Sequence, residues 1–207
     1  MSRKNLIRTN LFPYHVTIRT INKEWFDIPI AEVWRICLFC LNKANAKYPV
    51  EIISFVLMSN HYHMIVKTPD KNIDLFMYEM NKHLANMILK RSNRVSRVFG
   101  SRYKWCLIKS QTYLYNCYRY VYQNPLRAGL VTNCENYPYS TLFYLVHNKS
   151  FPVDLFDTFG FKDEYALSWI NEGVNEEEVK AIKASLKKTE LNQISNRIAR
   201  KPIDKYT

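Results

Sequence analysis

Two histidines in the stretch SNHYHMIV, residues 59–66, are the first residues of this chain whose spacing could serve chemistry. The chain has five histidines, and His61 and His63 are separated by only one residue. In a β-strand, side chains two positions apart point to the same face, so these imidazoles would lie side by side with Tyr62 turned away. Such a pair either forms ordinary polar surface or binds a metal ion.

A second candidate lies in the tyrosine-rich stretch QTYLYNCYRYVYQNP, residues 111–125. Tyr120 and Asn124 are four residues apart, so they would share one face of a helix. A tyrosine hydroxyl can act as a covalent nucleophile, and an asparagine carbonyl oxygen can bind a divalent cation. The unperturbed pKa of tyrosine is about 10, so we expect nearby cations to favour its ionisation. For most of the other tyrosines, the pattern favours an amphipathic packing helix.

The elements that must position these residues follow the order β-α-β-β-α-β-α. Residues 59–60 form a tight connection between two strands, which predicts a hairpin. This order is that of a ferredoxin-like α+β fold, with a mainly antiparallel sheet and helices on one face. The predicted strands cover residues 13–20, 51–58, 61–68 and 102–110, and the predicted helices cover residues 28–46, 71–91 and 111–125.

The composition changes near residue 150. Residues 1–150 carry 21 Lys and Arg against 8 Asp and Glu, whereas residues 151–207 carry 9 against 10. We therefore predict a main domain over residues 1–150 and a small helical extension over residues 151–207. The extension should contain an amphipathic helix capped by Asn175 and a last helix over residues 190–200.

The basic charge is concentrated in one part of the chain. Between Glu79 and Glu135 there are ten Lys and Arg and no acidic residue, within a chain whose net charge is +12. A one-signed stretch of this length predicts a polyanionic partner. Tyr103 and Trp105 lie among these cations, where aromatic rings either stack on unpaired bases or are buried in the core. The candidate phosphate contacts are Arg19, Arg94, Arg97, Arg102, Lys104 and Arg127.

Several classes of function are excluded or disfavoured. The four glycines form neither a phosphate-binding loop nor a dinucleotide-binding motif. Cys37 and Cys40 lie in an apolar helical pattern without a second pair of ligands, so we interpret them as core residues. An odd number of cysteines, no apolar stretch of membrane-spanning length and no signal-peptide core predict a cytoplasmic protein without a membrane partner.

Two sequence blocks together resemble the single-tyrosine HUH transposases, which are named for a His–hydrophobic–His motif. The first block is SFVLMSNHYHMIVKTP, and the second is YRYVYQNPLRAGLV, and Tyr120 lies 57 positions after His63. The segments YHVTIRT and SRYKW add to the resemblance, which covers roughly residues 12–145. The nearest branch is that of the REP-associated tyrosine transposases. A lone HxH motif is weakly specific, whereas the two blocks in this order are strongly specific.

The resemblance implies a metal-dependent enzyme that cuts and joins single-stranded DNA near hairpins through a 5′-phosphotyrosine intermediate. It implies Tyr120 as the nucleophile and His61, His63 and Asn124 as ligands of Mg²⁺ or Mn²⁺. Because Mn²⁺ tolerates nitrogen ligands better than Mg²⁺ does, we expect stronger activity in Mn²⁺. Gln123 is a rival for the third ligand, although its spacing from Tyr120 fits the helix face less well. The resemblance leaves open whether the protein is a monomer or a homodimer, and whether the tyrosine acts in its own or its partner's site.

Two other interpretations remain at this stage. A ferredoxin-like sheet with basic and aromatic residues could be a nucleic-acid-binding module without catalysis. An enzyme adopted by its host could keep the cutting chemistry without moving an element. His15, on the first predicted strand, is either a positioning group or DNA contact of the site, or an ordinary polar residue.

Overall fold

A four-stranded antiparallel sheet forms the centre of the computed structural model, which describes residues 5–160, 164–173 and 176–186. Its order is β2-β3-β1-β4, so β2 and β3 form the predicted hairpin and β1 lies in the middle beside β3. This is the ferredoxin-like arrangement predicted from the order of elements. The strands are β1 (Tyr14–Arg19), β2 (Glu51–Leu57), β3 (His61–Lys67) and β4 (Lys104–Leu107).

The two helices that connect strands pack on one face of the sheet. They are α1 (Ile30–Lys47), between β1 and β2, and α2 (Ile73–Leu89), between β3 and β4. Apolar residues recur along α1 at helical spacing, which places one face of the helix in the core. Cys37 and Cys40 belong to this face and are buried free thiols, which confirms their interpretation as core residues.

A third helix covers the opposite face of the sheet. This is α3 (Gln111–Tyr122), whose first turn is capped by the side chain of Ser110. It packs against β2 and β3, where Val56 and Ile65 join its buried residues in a second apolar cluster. The prediction of helices on one face therefore holds for α1 and α2, whereas α3 adds a third layer. The reason is that Ile53, Val56 and Ile65 make part of this face apolar too.

The chain continues in short helices after α3. The predicted third helix, which the pair Asn124 and Pro125 is expected to end, stops at Tyr122, and α4 (Asn124–Arg127) begins a new turn with Pro125 in its first positions. A proline is tolerated there because the first N–H groups of a helix have no intrahelical partner. The next helix is α5 (Thr141–Val146), whose Thr141 side chain contacts the backbone of Phe55 in β2.

The described part of the extension packs against α3. It contains α6 (Glu164–Asn171) and α7 (Glu176–Ser185), whose Ile170 and Ile182 are buried in the second cluster. The predicted cap at residue 175 and the predicted helix over 190–200 lie outside the described residues. The division of the chain at residue 150 stays a prediction. None of the described helices combines the length and the apolar composition needed to cross a membrane.

The aromatic residues of the basic segment do not form a stacking surface. Tyr103 and Trp105 are 7% and 6% exposed and belong to the core beneath α1 and α2. Residues 103, 105 and 107 share one face of the last strand, and that face is turned to the core. The interpretation of these two side chains as partners for unpaired bases is therefore wrong, and the alternative of buried aromatics is correct.

Candidate active site

The register of the sheet places three histidines together on the face covered by α3. His61 and His63 lie on β3 opposite Arg19 and Thr17 of β1, and His15 lies on β1 opposite Ile65. The ring centroids of His61 and His63 are 5.1 Å apart, so the predicted pair on one strand face is present. His63 is 3% exposed and His15 is fully buried.

Each histidine of the HxH pair has one ring nitrogen engaged. Nδ1 of His61 lies 2.7 Å from Oδ1 of Asn60, and Nδ1 of His63 lies 3.0 Å from Nε2 of His15. The Nε2 atoms of His61 and His63 make no hydrogen bond to any described residue. Metal-binding histidines commonly donate their second N–H to a neighbour in this way, which leaves the other nitrogen for the metal.

These imidazoles are held in the neutral form that metal binding requires. Burial lowers the pKa of His61 to about 3, and the positive charge of Arg19 acts in the same direction. Burial, together with the neighbouring His15 and His61, lowers the pKa of His63 well below its usual value. Neutral imidazole is the ligand form of histidine, so both side chains are suitable donors near neutral pH.

Tyr120 of α3 lies against the same group of histidines. Its ring centroid is 5.3 Å from that of His63 and 5.7 Å from that of His15, and both contacts are edge-on. The residue is 4% exposed, yet its hydroxyl makes no hydrogen bond within the described part of the chain. The other tyrosines of α3 all bond their hydroxyls: Tyr113 to Ser185, Tyr115 to Gln111, Tyr118 to Thr158 and Tyr122 to Thr141.

Two nearby cations lower the pKa of Tyr120 by less than its burial raises it. The guanidinium of Arg127 lies 4.6 Å from the ring centroid and donates to the Tyr120 carbonyl oxygen at 3.0 Å. Burial raises the pKa of Tyr120, while Arg127 and Arg19 lower it by less. The expectation that cations would favour the ionised tyrosine is thus met in direction only, because desolvation of the phenolate is the larger effect.

Asn124 is the first residue of α4, just after the end of the tyrosine helix, and is partly exposed. Its amide nitrogen donates to the carbonyl oxygens of Tyr120 and Val121, at 2.8 and 3.2 Å. These bonds orient the amide, and its oxygen Oδ1 accepts no hydrogen bond from the described residues. An amide oxygen of this kind can bind a divalent cation.

Gln123, the rival third ligand, points to a different part of the molecule. It is 1% exposed, and its amide nitrogen donates to the carbonyl oxygens of Ile170 and Glu172, both at 2.6 Å. These two bonds attach the end of α3 to the end of α6. Gln123 therefore has a packing role in this structure, and the contrast favours Asn124 for the ligand role.

The donor set fits a divalent cation bound by nitrogen and amide oxygen. No group of three His, Cys, Asp or Glu side chains in the described ranges is arranged to bind a metal. A cation held by His61 and His63 would therefore take its third ligand from another type of side chain, such as the amide of Asn124. Imidazole nitrogen suits Mn²⁺ better than Mg²⁺, which prefers oxygen.

An open cavity of about 680 Å³ leads to Tyr120 and His63. Three of the predicted phosphate contacts line it, namely Arg19, Arg102 and Lys104. Arg127 is not among the lining residues but lies over the Tyr120 ring. The structure thus brings four of the six predicted DNA contacts close to the candidate nucleophile.

The other two predicted contacts lie elsewhere. Arg94 donates to the Glu24 carboxylate at 2.7 Å and to the Trp25 carbonyl oxygen at 3.0 Å, and its side chain is only 7% exposed. Arg97 is exposed and lies outside the cavity lining. The two residues are three positions apart in one basic loop, but only Arg97 presents its charge to solvent.

Sequence reasoning missed two cations of this cavity. Lys23 follows β1, and Lys183 belongs to α7, yet both line the cavity with Tyr120. Lys23 lies in a stretch of mixed charge, and Lys183 lies beyond the region of resemblance. No sequence signal marked either of them, because their position depends on how the chain folds back.

Comparisons with known proteins agree with this geometry. The pattern of the family described as "Transposase IS200 like" matches residues 9–124, which include the HxH pair, Tyr120 and Asn124. A Haemophilus influenzae protein named a REP-associated tyrosine transposase is 24% identical over 118 residues, covering 52% of this chain and 67% of that protein. The structure of a REP-associated tyrosine transposase bound to a REP hairpin has the same fold. Its TM-score is 0.61 at 19% identity, over 77% of this chain and 96% of that one. The resemblance predicted from the two sequence blocks is confirmed.

Proposed function

Because this chain belongs to the IS200-like transposase family, we propose that it is a metal-dependent enzyme that cuts and joins single-stranded DNA beside hairpins. One observation carries the proposal. Among the five tyrosines of α3, only the hydroxyl of Tyr120 is left unbonded by the described residues, and its ring contacts His15 and His63. A hydroxyl that is not used for packing is available for chemistry.

The reaction assigned to Tyr120 is an in-line attack of its hydroxyl oxygen on the phosphorus of a DNA phosphodiester. A bond forms between the tyrosine oxygen and phosphorus, and the bond from phosphorus to the 3′ oxygen breaks. The products are a 5′-phosphotyrosine linkage and a free 3′-hydroxyl. Since the linkage keeps a phosphodiester, a 3′-hydroxyl on another strand can reverse the step and join the strands without a nucleotide cofactor.

The residues that would hold Mg²⁺ or Mn²⁺ are His61, His63 and Asn124, and Gln123 is not part of this set. When bound, the metal supplies a Lewis acid that neutralises charge on the phosphate in the transition state. His15 and Asn60 orient the two imidazoles through their hydrogen bonds. Tyr120 is only 4% exposed, so most of its side chain is shielded from bulk water, which would compete with its hydroxyl as a nucleophile.

The DNA partner proposed for the cavity is a single strand that flanks a hairpin. The structural neighbour bound to a REP hairpin supports this choice, and so do the cations around Tyr120. Arg19, Arg102, Lys104 and Arg127 are the proposed phosphate contacts of the site, because cations position a nucleic-acid backbone. The five cysteines, all free in this structure, support a proposed cytoplasmic location. Both a monomer and a homodimer are compatible with the proposal.

Covalent trapping tests the proposed function. The full chain is mixed with a labelled hairpin oligonucleotide taken from the flanks of its own gene, with Mn²⁺ or Mg²⁺, and separated on a denaturing gel. We expect a protein–DNA adduct for the wild type, more of it in Mn²⁺, and none in EDTA or with Tyr120→Phe. The matched control is Tyr115→Phe, which removes a half-buried hydroxyl from the same helix and should leave the adduct unchanged.

A different result would identify the other candidate function. Binding of the oligonucleotide without any adduct, in both metals and with several flanking hairpins, would contradict the proposal. It would favour a nucleic-acid-binding module without catalysis. An adduct that persists in Tyr120→Phe would show instead that another group is the nucleophile.

A further inference from the structure

The last described helix, α7, reaches the cavity of the candidate site. Lys183 and Leu186, at its C-terminal end, line the same cavity as Tyr120 and His63. The extension lies outside the region of sequence resemblance, and the family match ends at residue 124. Neither therefore assigns a role to this helix.

The extension is attached firmly to the helix that carries Tyr120. In α7, the Ser185 hydroxyl lies 2.6 Å from that of Tyr113, and Ile182 is buried. Just after α6, the carbonyl oxygens of Glu172 and Gly173 accept hydrogen bonds from Arg119 of α3, at 2.9 and 3.2 Å. The buried side of α7 is thus held against α3, and this attachment keeps Lys183 at the cavity.

The charges of the cavity are suited to an anion. Besides Lys183, its lining residues include Arg19, Lys23, Arg102 and Lys104, and none of the described lining residues carries a carboxylate. Like-charged side chains around one cavity repel each other unless an anion lies between them. A DNA strand approaching Tyr120 supplies such an anion at every nucleotide.

We infer that Lys183 binds a phosphate of the DNA strand next to the one that Tyr120 attacks, so that α7 is part of the DNA-binding surface. The inference rests on the proposed function, since it takes the same single strand as its ligand. The ammonium of lysine acts as a compact charge on a flexible stem, which suits a contact that positions a backbone without reading its sequence.

The helix offers a matched control. Lys180 lies three residues before Lys183 on α7, and its ammonium is 3.8 Å from the carboxylate of Glu176. Lys180 is exposed and does not line the cavity. The variants Lys183→Gln and Lys180→Gln remove the same charge from the exposed side of one helix. They differ in the position of that charge and in the exposed pair that Lys180 makes with Glu176. Neither side chain is buried, so both variants should fold like the wild type.

The experiment measures binding of the full chain to the hairpin oligonucleotide by fluorescence anisotropy, in EDTA and across a salt series. We expect Lys183→Gln to weaken binding about 3- to 10-fold and to reduce the salt slope by about 1, as for the loss of one phosphate contact. Lys180→Gln should match the wild type in both quantities. Urea unfolding of the three proteins checks that their folds are equally stable.

Two outcomes overturn the inference while the proposed function stands. If the wild type binds and forms the covalent adduct, but the two variants have equal affinities and salt slopes, Lys183 contacts no phosphate. If Lys183→Gln binds more tightly than the wild type, the helix obstructs the cavity instead of serving it. If the wild type neither binds the oligonucleotide nor forms an adduct, the proposed function fails, and the inference fails with it.

Discussion

The strands β1 and β3 contribute to two faces of one sheet, and those faces treat polar groups differently. On the face covered by α1 and α2, the residues of these two strands are apolar and buried, and both of their tyrosine hydroxyls are bonded: Tyr14 to the Ile7 carbonyl oxygen and Tyr62 to Asn81. Tyr103, just before β4 in the same core, has a buried hydroxyl without a partner among the described residues. On the face covered by α3 lie His15 and His63, which directly follow Tyr14 and Tyr62 in the same two strands. There, Nδ1 of His15 is buried without a hydrogen-bond partner among the described residues.

The difference teaches where stability and chemistry reside in this fold. A buried polar atom without a partner lowers stability. Nδ1 of His15 is such an atom, and the His15 ring contacts that of Tyr120, so we attribute it to a requirement of the candidate site. The face covered by α1 and α2 is mostly apolar, so substitutions of its residues should lower the free energy of unfolding. The face covered by α3 keeps histidines with free nitrogens, and its substitution should affect the reaction. Paired variants of neighbouring residues can test this division.

The largest expected contrast is between His63→Ala and Met64→Ala, which are adjacent on β3 but point to opposite faces. We expect Met64→Ala to lower the free energy of unfolding by about 2–5 kcal/mol, because it leaves a cavity in a closed core. Adduct formation per folded molecule should stay near the wild-type value. We expect His63→Ala to reduce the rate of adduct formation by at least about 100-fold, since a proposed metal ligand is lost.

Urea unfolding and covalent trapping, performed on both variants, provide the two measurements. We expect His63→Ala to lower the free energy of unfolding by about 1–3 kcal/mol, because it leaves His15 unpaired. This loss should be smaller than that of Met64→Ala. The division between the faces would be refuted if Met64→Ala, at temperatures where it is folded, lost adduct formation as completely as His63→Ala.

A second contrast, of intermediate size, separates Gln123 from Asn124. We expect Gln123→Ala to lower the free energy of unfolding by about 1–3 kcal/mol, since it removes two buried hydrogen bonds to the end of α6. Asn124→Ala removes two part-buried hydrogen bonds to the end of α3, so it should lower the free energy of unfolding by about 1 kcal/mol. It should also weaken Mn²⁺ binding about 10- to 100-fold. Calorimetric titration with Mn²⁺ in the absence of DNA measures the affinity directly.

The control for this pair is Tyr115→Phe, which should change neither quantity. Weak Mn²⁺ binding by Gln123→Ala together with normal binding by Asn124→Ala would contradict the assignment of the third ligand. It would mean that Gln123 is the ligand. The hydrogen bonds of its amide to Ile170 and Glu172 would then have to break when the metal binds.

Much of the fold was predictable, because it depends on local patterns. The alternation in HYHMIVKT and the tight connection at residues 59–60 predict a strand and a hairpin, and β3 is present over His61–Lys67. The two sequence blocks also predict the grouping of His61, His63 and Tyr120, since that grouping is common to the family they resemble. The layer formed by α3 was not predicted, because an apolar strand face does not show which later helix will cover it.

The details of the site depended on long-range packing. The hydrogen bond between His15 and His63 joins residues 48 positions apart, and no local pattern encodes it. Gln123 and Asn124 are neighbours with similar side chains, and only the position of α6 separates their roles. Lys183 reaches the cavity because α7 folds back onto α3. In each case, the sequence supplies the residue type but not its neighbour.

The smallest expected contrast extends the division into the basic loop, through Arg94→Gln and Arg97→Gln. Arg94 is paired with Glu24 and nearly buried, so its loss should lower the free energy of unfolding by about 1 kcal/mol and leave DNA binding unchanged. Arg97 is exposed, so its loss should leave stability unchanged and reduce the salt slope of DNA binding by about 1. Anisotropy titrations across a salt series and urea unfolding measure both effects. A different result would be a reduced salt slope of DNA binding for Arg94→Gln and an unchanged one for Arg97→Gln. It would mean that a DNA phosphate replaces the Glu24 carboxylate as the partner of Arg94. The separation of packed from available charges would then hold only for the free protein.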